Sequence, residues 1–160
     1  MFMSRNSFSI FIILIGLLSA TSYTWGDVLA TSYSDVMLQQ IPVGRLVRAQ
    51  DELKHDLTVK NGASHSVTVQ IDVLIPEKSS IVGNAQAIAD SRWIVVSPHQ
   101  LELPAHGSGT CIVSINVPSE TSNRGKFYEA LVWTHTIPKK GEGVTLSAGL
   151  LSRIRFTTRP

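Results

Sequence analysis

Trp93-Ile-Val-Val-Ser-Pro98, Gln100-Leu-Glu-Leu-Pro-Ala-His-Gly107, Thr110-Cys-Ile-Val-Ser-Ile-Asn-Val-Pro118 and Gly125-Lys-Phe-Tyr-Glu-Ala-Leu-Val-Trp133 follow one another along the chain. Each is a short run with strand composition, and proline or glycine punctuates the series. Within the third run Cys111, Val113, Ile115 and Val117 share one parity. Alternation of this kind hides one face of an extended chain and wets the other. Short alternating runs separated by frequent turn residues predict two antiparallel sheets packed face to face.

The flanking sequence extends the pattern. Upstream, Val67, Val69, Ile71, Val73 and Ile75 alternate with Thr68, Gln70 and Asp72. Asn61-Gly62 separates that run from His55–Asn61, and an Asn-Gly pair between alternating runs predicts a hairpin with the two strands adjacent. Val36–Ile41 and Arg45–Gln50 read as further strands, Asp51–Lys54 as a turn, and Asp27–Asp35 as a flexible leader. Pro76–Arg92 is the longest connection. It is expected to cross between the sheets and contains a helix-compatible piece, Asn84–Asp90. Downstream, Lys126–Thr136 is a long strand with Tyr128, Ala130 and Val132 on the inward face. Phe127, Glu129, Leu131 and Trp133 then face outward. After a turn at Pro138–Gly143, the last strand runs Val144–Phe156, with Val144, Leu146, Ala148, Leu150, Ile154 and Phe156 on one side and Arg153, Arg155 and Arg159 on the other. The expected fold is an all-β, immunoglobulin-like antiparallel sandwich of seven or eight strands.

Composition bounds the function. The chain has 160 residues, 43% apolar and 16% charged, which suits one folded domain, 27–160, rather than a disordered chain. Arg5 precedes an apolar block, Phe8–Ala20, that is followed by small residues. The block is shorter than the ~20 residues that cross a bilayer. A charged start, a short apolar middle and small residues at its exit predict a secretory signal peptide, 1–26, cleaved within 20–30, and an exported, soluble product of the periplasm or cell surface; the alternative is an uncleaved leader, the one route to a membrane. The formal charge of +2 falls to +1 without Arg5, too little for a nucleic-acid partner. Cys111 is the only cysteine, so no internal disulfide forms; its parity predicts a buried thiol behaving as a small hydrophobe.

The order Leu57-Thr-Val-Lys-Asn61, Val96-Ser-Pro98, Leu101-Glu-Leu-Pro-Ala-His-Gly107, Ile112–Pro118 and Gly125–Val132 resembles the bacterial immunoglobulin-like sandwiches related to the MSP and abnormal-spindle (ASH) domains and to the PapD-like fold. Those domains place "T-V-x-N", "S-P-x-x-x-L-x-P-G-x-S" and "V-x-V-x-V-P" in the same succession. Cell-wall-associated immunoglobulin-like domains of Gram-positive surface proteins look similar. The resemblance covers about Asp56–Val132, with His106 standing where the turn often has Pro-Gly. It implies a fold and carries no catalytic signature.

The candidate binding site is the outward face of the Lys126–Thr136 strand. If the last strand pairs with it, Arg153 and Arg155 stand beside Phe127, Leu131 and Trp133, and aromatic rings flanked by arginines form a platform for protein, sugar or an anionic wall polymer. The competing arrangement has Met37 and Ile41 covering the rings and Glu129 pairing with an arginine. His55, His65, His99, His106 and His135 lack metal-ligand spacing and read as solvated turn residues. No nucleophile elbow, Ser-x-x-Lys element or phosphate-binding glycine loop is present. The expectation is a non-catalytic module without cofactor or metal that binds another envelope protein. A fibre subunit completed by strand exchange and a glycan- or wall-polymer-binding module, with Trp93 or Trp133 stacking on sugar, are the alternatives. A chaperone of the PapD type needs two sandwiches, and this chain has room for one.

Overall fold

The computed structural model describes residues 29–138 and 149–160. The expected signal peptide, its cleavage window and the positions Val144, Leu146 and Ala148 lie outside them. Two antiparallel-dominated sheets face each other. One contains β1 (Leu29–Thr31), β3 (Leu46–Arg48), β4 (Leu57–Asn61), β7 (Ile94–Ser97) and β9 (Ser108–Asn116). The other runs β2 (Asp35–Ile41), β11 (Gly149–Thr158), β10 (Phe127–Ile137), β5 (Val67–Leu74), β8 (Gln100–Leu103), with β6 (Gln86–Ala87) also paired to β10.

The core follows the parity of the sequence. Cys111, Val113, Ile115 and Val117 are buried, as are Val67, Val69 and Ile71 from the facing sheet. Tyr128, Ala130 and Val132 point inward against Ile154 and Phe156. The rings of Trp93, Tyr128 and Phe156 form a chain of contacts, with centroids 5.1 Å and 5.6 Å apart. Trp93 is therefore core and not a sugar platform. The inward alternation of β5 stops early: the strand ends at Leu74, and Ile75 is exposed.

Four local expectations are corrected. Asn61-Gly62 does not make a hairpin. β4 pairs with β1 and β9, while β5 pairs with β10 and β8 in the other sheet. A type I′ turn would need positive φ at both residues, and neither has it. Asn61 is instead buried, donating from Nδ2 to the carbonyls of His65 and Pro104 (both 2.8 Å) and accepting from the Ala63 amide (2.9 Å). Its amide ties together the chain where it passes from one sheet to the other.

Asp27–Asp35 is not a flexible leader over its described part. Leu29–Thr31 pairs with β4, and Tyr33 is fully buried with its hydroxyl donating to the His55 carbonyl at 3.0 Å. The short segment between β1 and β2 carries the chain from one sheet to the other and closes that side of the sandwich. Tyr33→Phe is expected to cost about 1 kcal/mol, the usual net worth of one such bond, in equilibrium unfolding. Third, Asp51–Lys54 belongs with Ala49 and Gln50 to a one-turn helix, α1 (Ala49–Leu53), closed by Lys54 at φ +66°. Fourth, Asn84–Asp90 is not helical. It supplies β6, parallel to the start of β10, just beyond the point where β5 leaves that edge. The long connection crosses to the first sheet only afterwards, at β7. The chain returns to the second sheet at once, through the cis Ser97-Pro98 peptide into β8.

Burial pushes the Cys111 thiol up to about 11 and the Tyr33 hydroxyl up to about 12, with Asp56 adding to the latter. Both acids ionise more readily when unfolded, so the unfolded state loses protons first as pH rises. Stability is expected to fall from about pH 9 upward, read as a lower unfolding midpoint. Cys111 should resist alkylation until the chain unfolds.

Candidate functional site

β10 and β11 pair over nine consecutive positions, Phe127↔Thr157 through His135↔Gly149. This register sets Arg155 opposite Glu129 and Arg153 opposite Leu131, on the outward face, as the alternation requires. What happens above that face separates the five candidate residues.

Glu129 is fully buried although its position is outward. The connection after β5 folds over it. The Val82 amide donates to Glu129 Oε2 at 3.1 Å, and Arg153 Nε donates to Oε1 at 2.9 Å. Arg153 also reaches the Ser80 carbonyl at 3.4 Å and lies 4.0 Å from Asp35. Arg155 is bound to Asp35 through two donors, at 2.8 and 3.0 Å. Both arginines are thus matched by carboxylates within the chain, and β2, paired in parallel with β11, supplies one of them. Leu131 is covered as well, with 8% of its surface left, and Phe127 is half-buried. The competing arrangement, in which a carboxylate neutralises the arginines, is the observed one. Each arginine of the expected platform is thus engaged by a carboxylate of the same chain. The 76–88 connection covers Glu129 and Arg153, and Met37 and Ile41 do not supply the expected cover: Met37 is itself exposed and Ile41 belongs to the core.

Trp133 alone of the five remains open, with 40% of its surface exposed. Its surroundings hold it in place. His135 stacks on it with centroids 3.9 Å apart and planes inclined by 19°. His135 Nε2 meets Asp72 Oδ2 at 2.9 Å, and Gln70 Nε2 donates to Asp72 at 2.9 and 3.2 Å. His135 is therefore not a solvated turn residue. The hydrogen bond from Gln70, with further help from His135, holds the Asp72 carboxyl below the usual carboxylate range against partial burial. Leu151 and Asp72 flank Trp133 in register on β11 and β5, and Leu74 lies one step along β5 on the same face. Leu151 is 56% exposed and Leu74 is exposed too.

Gly149 makes room for this stack. A Cβ there would lie 2.7 Å from Trp133 Nε1. Gly149→Ala is expected to dislodge the indole, read as a change in Trp133 fluorescence with little change in stability. The residues missed from sequence are Asp72, His135, Gln70, Leu151 and Gly149. Only the cross-strand register joins them, and that register is not visible before the strands are paired. Among the described residues no three metal-ligating side chains come together, and no helix is long and apolar enough to cross a membrane.

A scan of family models and a search of curated proteins find no match to the sequence. Solved structures do match in fold. An ASH/PapD-like domain of human CEP192 superposes with a TM-score of 0.60 at 12% identity, covering 93% of this chain and 97% of that domain. A Salmonella enterica structure of the SafA pilin with the SafB chaperone gives 0.52 at 18% identity, over 82% of this chain and 54% of the other. A Bacteroides ovatus protein, described there as a candidate carbohydrate binder, gives 0.54 at 12% identity, over 82% of this chain and 37% of the other. The chain spans about half the length of the chaperone-related chains. The fold is an immunoglobulin-like sandwich similar to these PapD-like domains; at such identities the likeness extends to fold alone.

Proposed function

We propose that this chain is an exported, non-catalytic interaction module of the bacterial cell envelope that docks another protein through the outward face of β11, β10 and β5, centred on Trp133. The carrying observation is the exposed indole held flat by the His135 stack and flanked by Leu151 and Leu74. A rigid aromatic anchor among aliphatic neighbours is the usual composition of an interface hot spot. The charged leader and short apolar block support export. The structure of the SafA pilin in complex with the SafB chaperone accords with a protein partner for a sandwich of this shape.

Strand exchange between copies has less support. β11 belongs to the same chain and already lies between β10 and β2, so the position a donated strand would take is filled. Glycan binding at the same ring is favoured by the exposed indole and by the adjacent Asp72 and Gln70 side chains.

A photo-reactive amino acid placed at Leu151 should capture one predominant protein from envelope fractions. Trp133→Ala should weaken that complex by about 2 kcal/mol or more, the hot-spot range, about thirtyfold in Kd. Unchanged capture with Trp133→Ala would remove Trp133 from the interface and the reading with it.

A further inference from the structure

Charge is unevenly distributed around Trp133. Among the described residues, Arg153 is matched by Glu129, Arg155 by Asp35 and Arg92 by Asp90. Asp72 is treated differently. It is bound by the Gln70 amide and one His135 ring nitrogen, and no lysine or arginine of the described residues pairs with it. His99 acts on it only from a distance. About a third of the Asp72 side chain is exposed. It stands directly beside Trp133 across the β5–β10 register.

We propose that the Trp133–Asp72 pair is a receptor for a cationic side chain, lysine or arginine, presented by an otherwise apolar segment of the protein partner. The inference rests on the docking reading above and names the chemistry of the occupant. An ammonium or guanidinium laid over an indole is attracted by the negative face of the ring, most strongly by tryptophan among the aromatic side chains. A carboxylate at the rim adds a charge-assisted hydrogen bond. His135 backs one face of the ring, and Gly149 leaves no side chain to displace it. Gln70 and His135 both hold the carboxylate in place. Leu151 and Leu74 on either side favour aliphatic neighbours for the incoming cation. An anionic occupant meets the Asp72 charge and finds Arg153 and Arg155 already engaged.

The test follows the Trp133 indole N–H resonance of the full chain, assigned by its loss in Trp133→Phe. The probes are N-acetyl-leucyl-lysyl-leucine amide, its glutamate and norleucine counterparts, and a neutral oligosaccharide. The lysine peptide should shift the resonance at the lowest concentration and the glutamate peptide should leave it in place. Asp72→Asn, which keeps the shape and the neighbours of Asp72, should weaken the lysine peptide up to about fivefold, the upper end for an exposed ion pair worth about 1 kcal/mol. Added salt should weaken it in the wild-type chain, a readout that needs no variant. Equal response to the lysine and norleucine peptides, unaltered by Asp72→Asn and by salt, overturns the cation receptor and leaves apolar docking standing. A response to the oligosaccharide alone overturns both readings. No response to the lysine peptide overturns the cation receptor.

Discussion

Phe156→Ala is expected to lower the unfolding free energy by about 3–5 kcal/mol, the range for deleting a buried aromatic ring. Phe156 sits fully buried near the end of β11, against Tyr128, which in turn meets Trp93 edge to face. The lost ring leaves a cavity beneath a strand paired on both sides, so the backbone has little freedom to collapse into it. Urea titration should show a lower midpoint at an unchanged slope. The midpoint should also be independent of protein concentration, in the variant and in the parent chain, because β11 is supplied by the same chain that it completes. A cost below about 1 kcal/mol would place the ring outside the core. A midpoint that rises with concentration would mean that copies exchange the strand.

Glu129→Ala is expected to cost about 3 kcal/mol. Removing one partner from a buried, hydrogen-bonded ion pair costs about 3–5 kcal/mol, and the low end applies because Arg153 keeps contact with Asp35 and with solvent. The Val82 amide loses its acceptor at the same time. The 76–88 connection should then lift from the sheet. Faster proteolysis within that connection, alongside the lower urea midpoint, would show it. Glu129→Leu combined with Arg153→Leu should recover most of the loss, because an apolar pair leaves no buried charge unmatched. If the double substitution is as damaging as Glu129→Ala alone, the pair is holding the connection by something other than mutual neutralisation.

The two halves of the outward face show how far residue pattern reaches. Phe127, Glu129, Leu131 and Trp133 have one parity, which predicts one outward-facing environment. The connection after β5 reaches as far as Glu129 and Arg153; Glu129 and Leu131 are buried while Trp133 stays open. The platform of rings and arginines therefore reduces to Trp133 with a different set of neighbours. Asn61-Gly62 makes the same point at the level of topology. The local signal for a hairpin was strong, yet the Asn61 side chain is taken by His65 and Pro104 and the two strands enter different sheets.

Sequence alone determined that this chain is a sandwich, that Cys111, Tyr128 and Ile154 face its interior, and that Trp133 faces away from it. Those properties follow from the pleat of an extended backbone, which sends successive side chains to opposite sides whatever lies across from them. Tertiary structure decided which strands share a sheet, that Arg153 is spent on Glu129, and that Asp72 and His135 stand beside Trp133. Each depends on contacts between positions tens of residues apart, and no periodicity within a strand specifies what is laid next to it or over it.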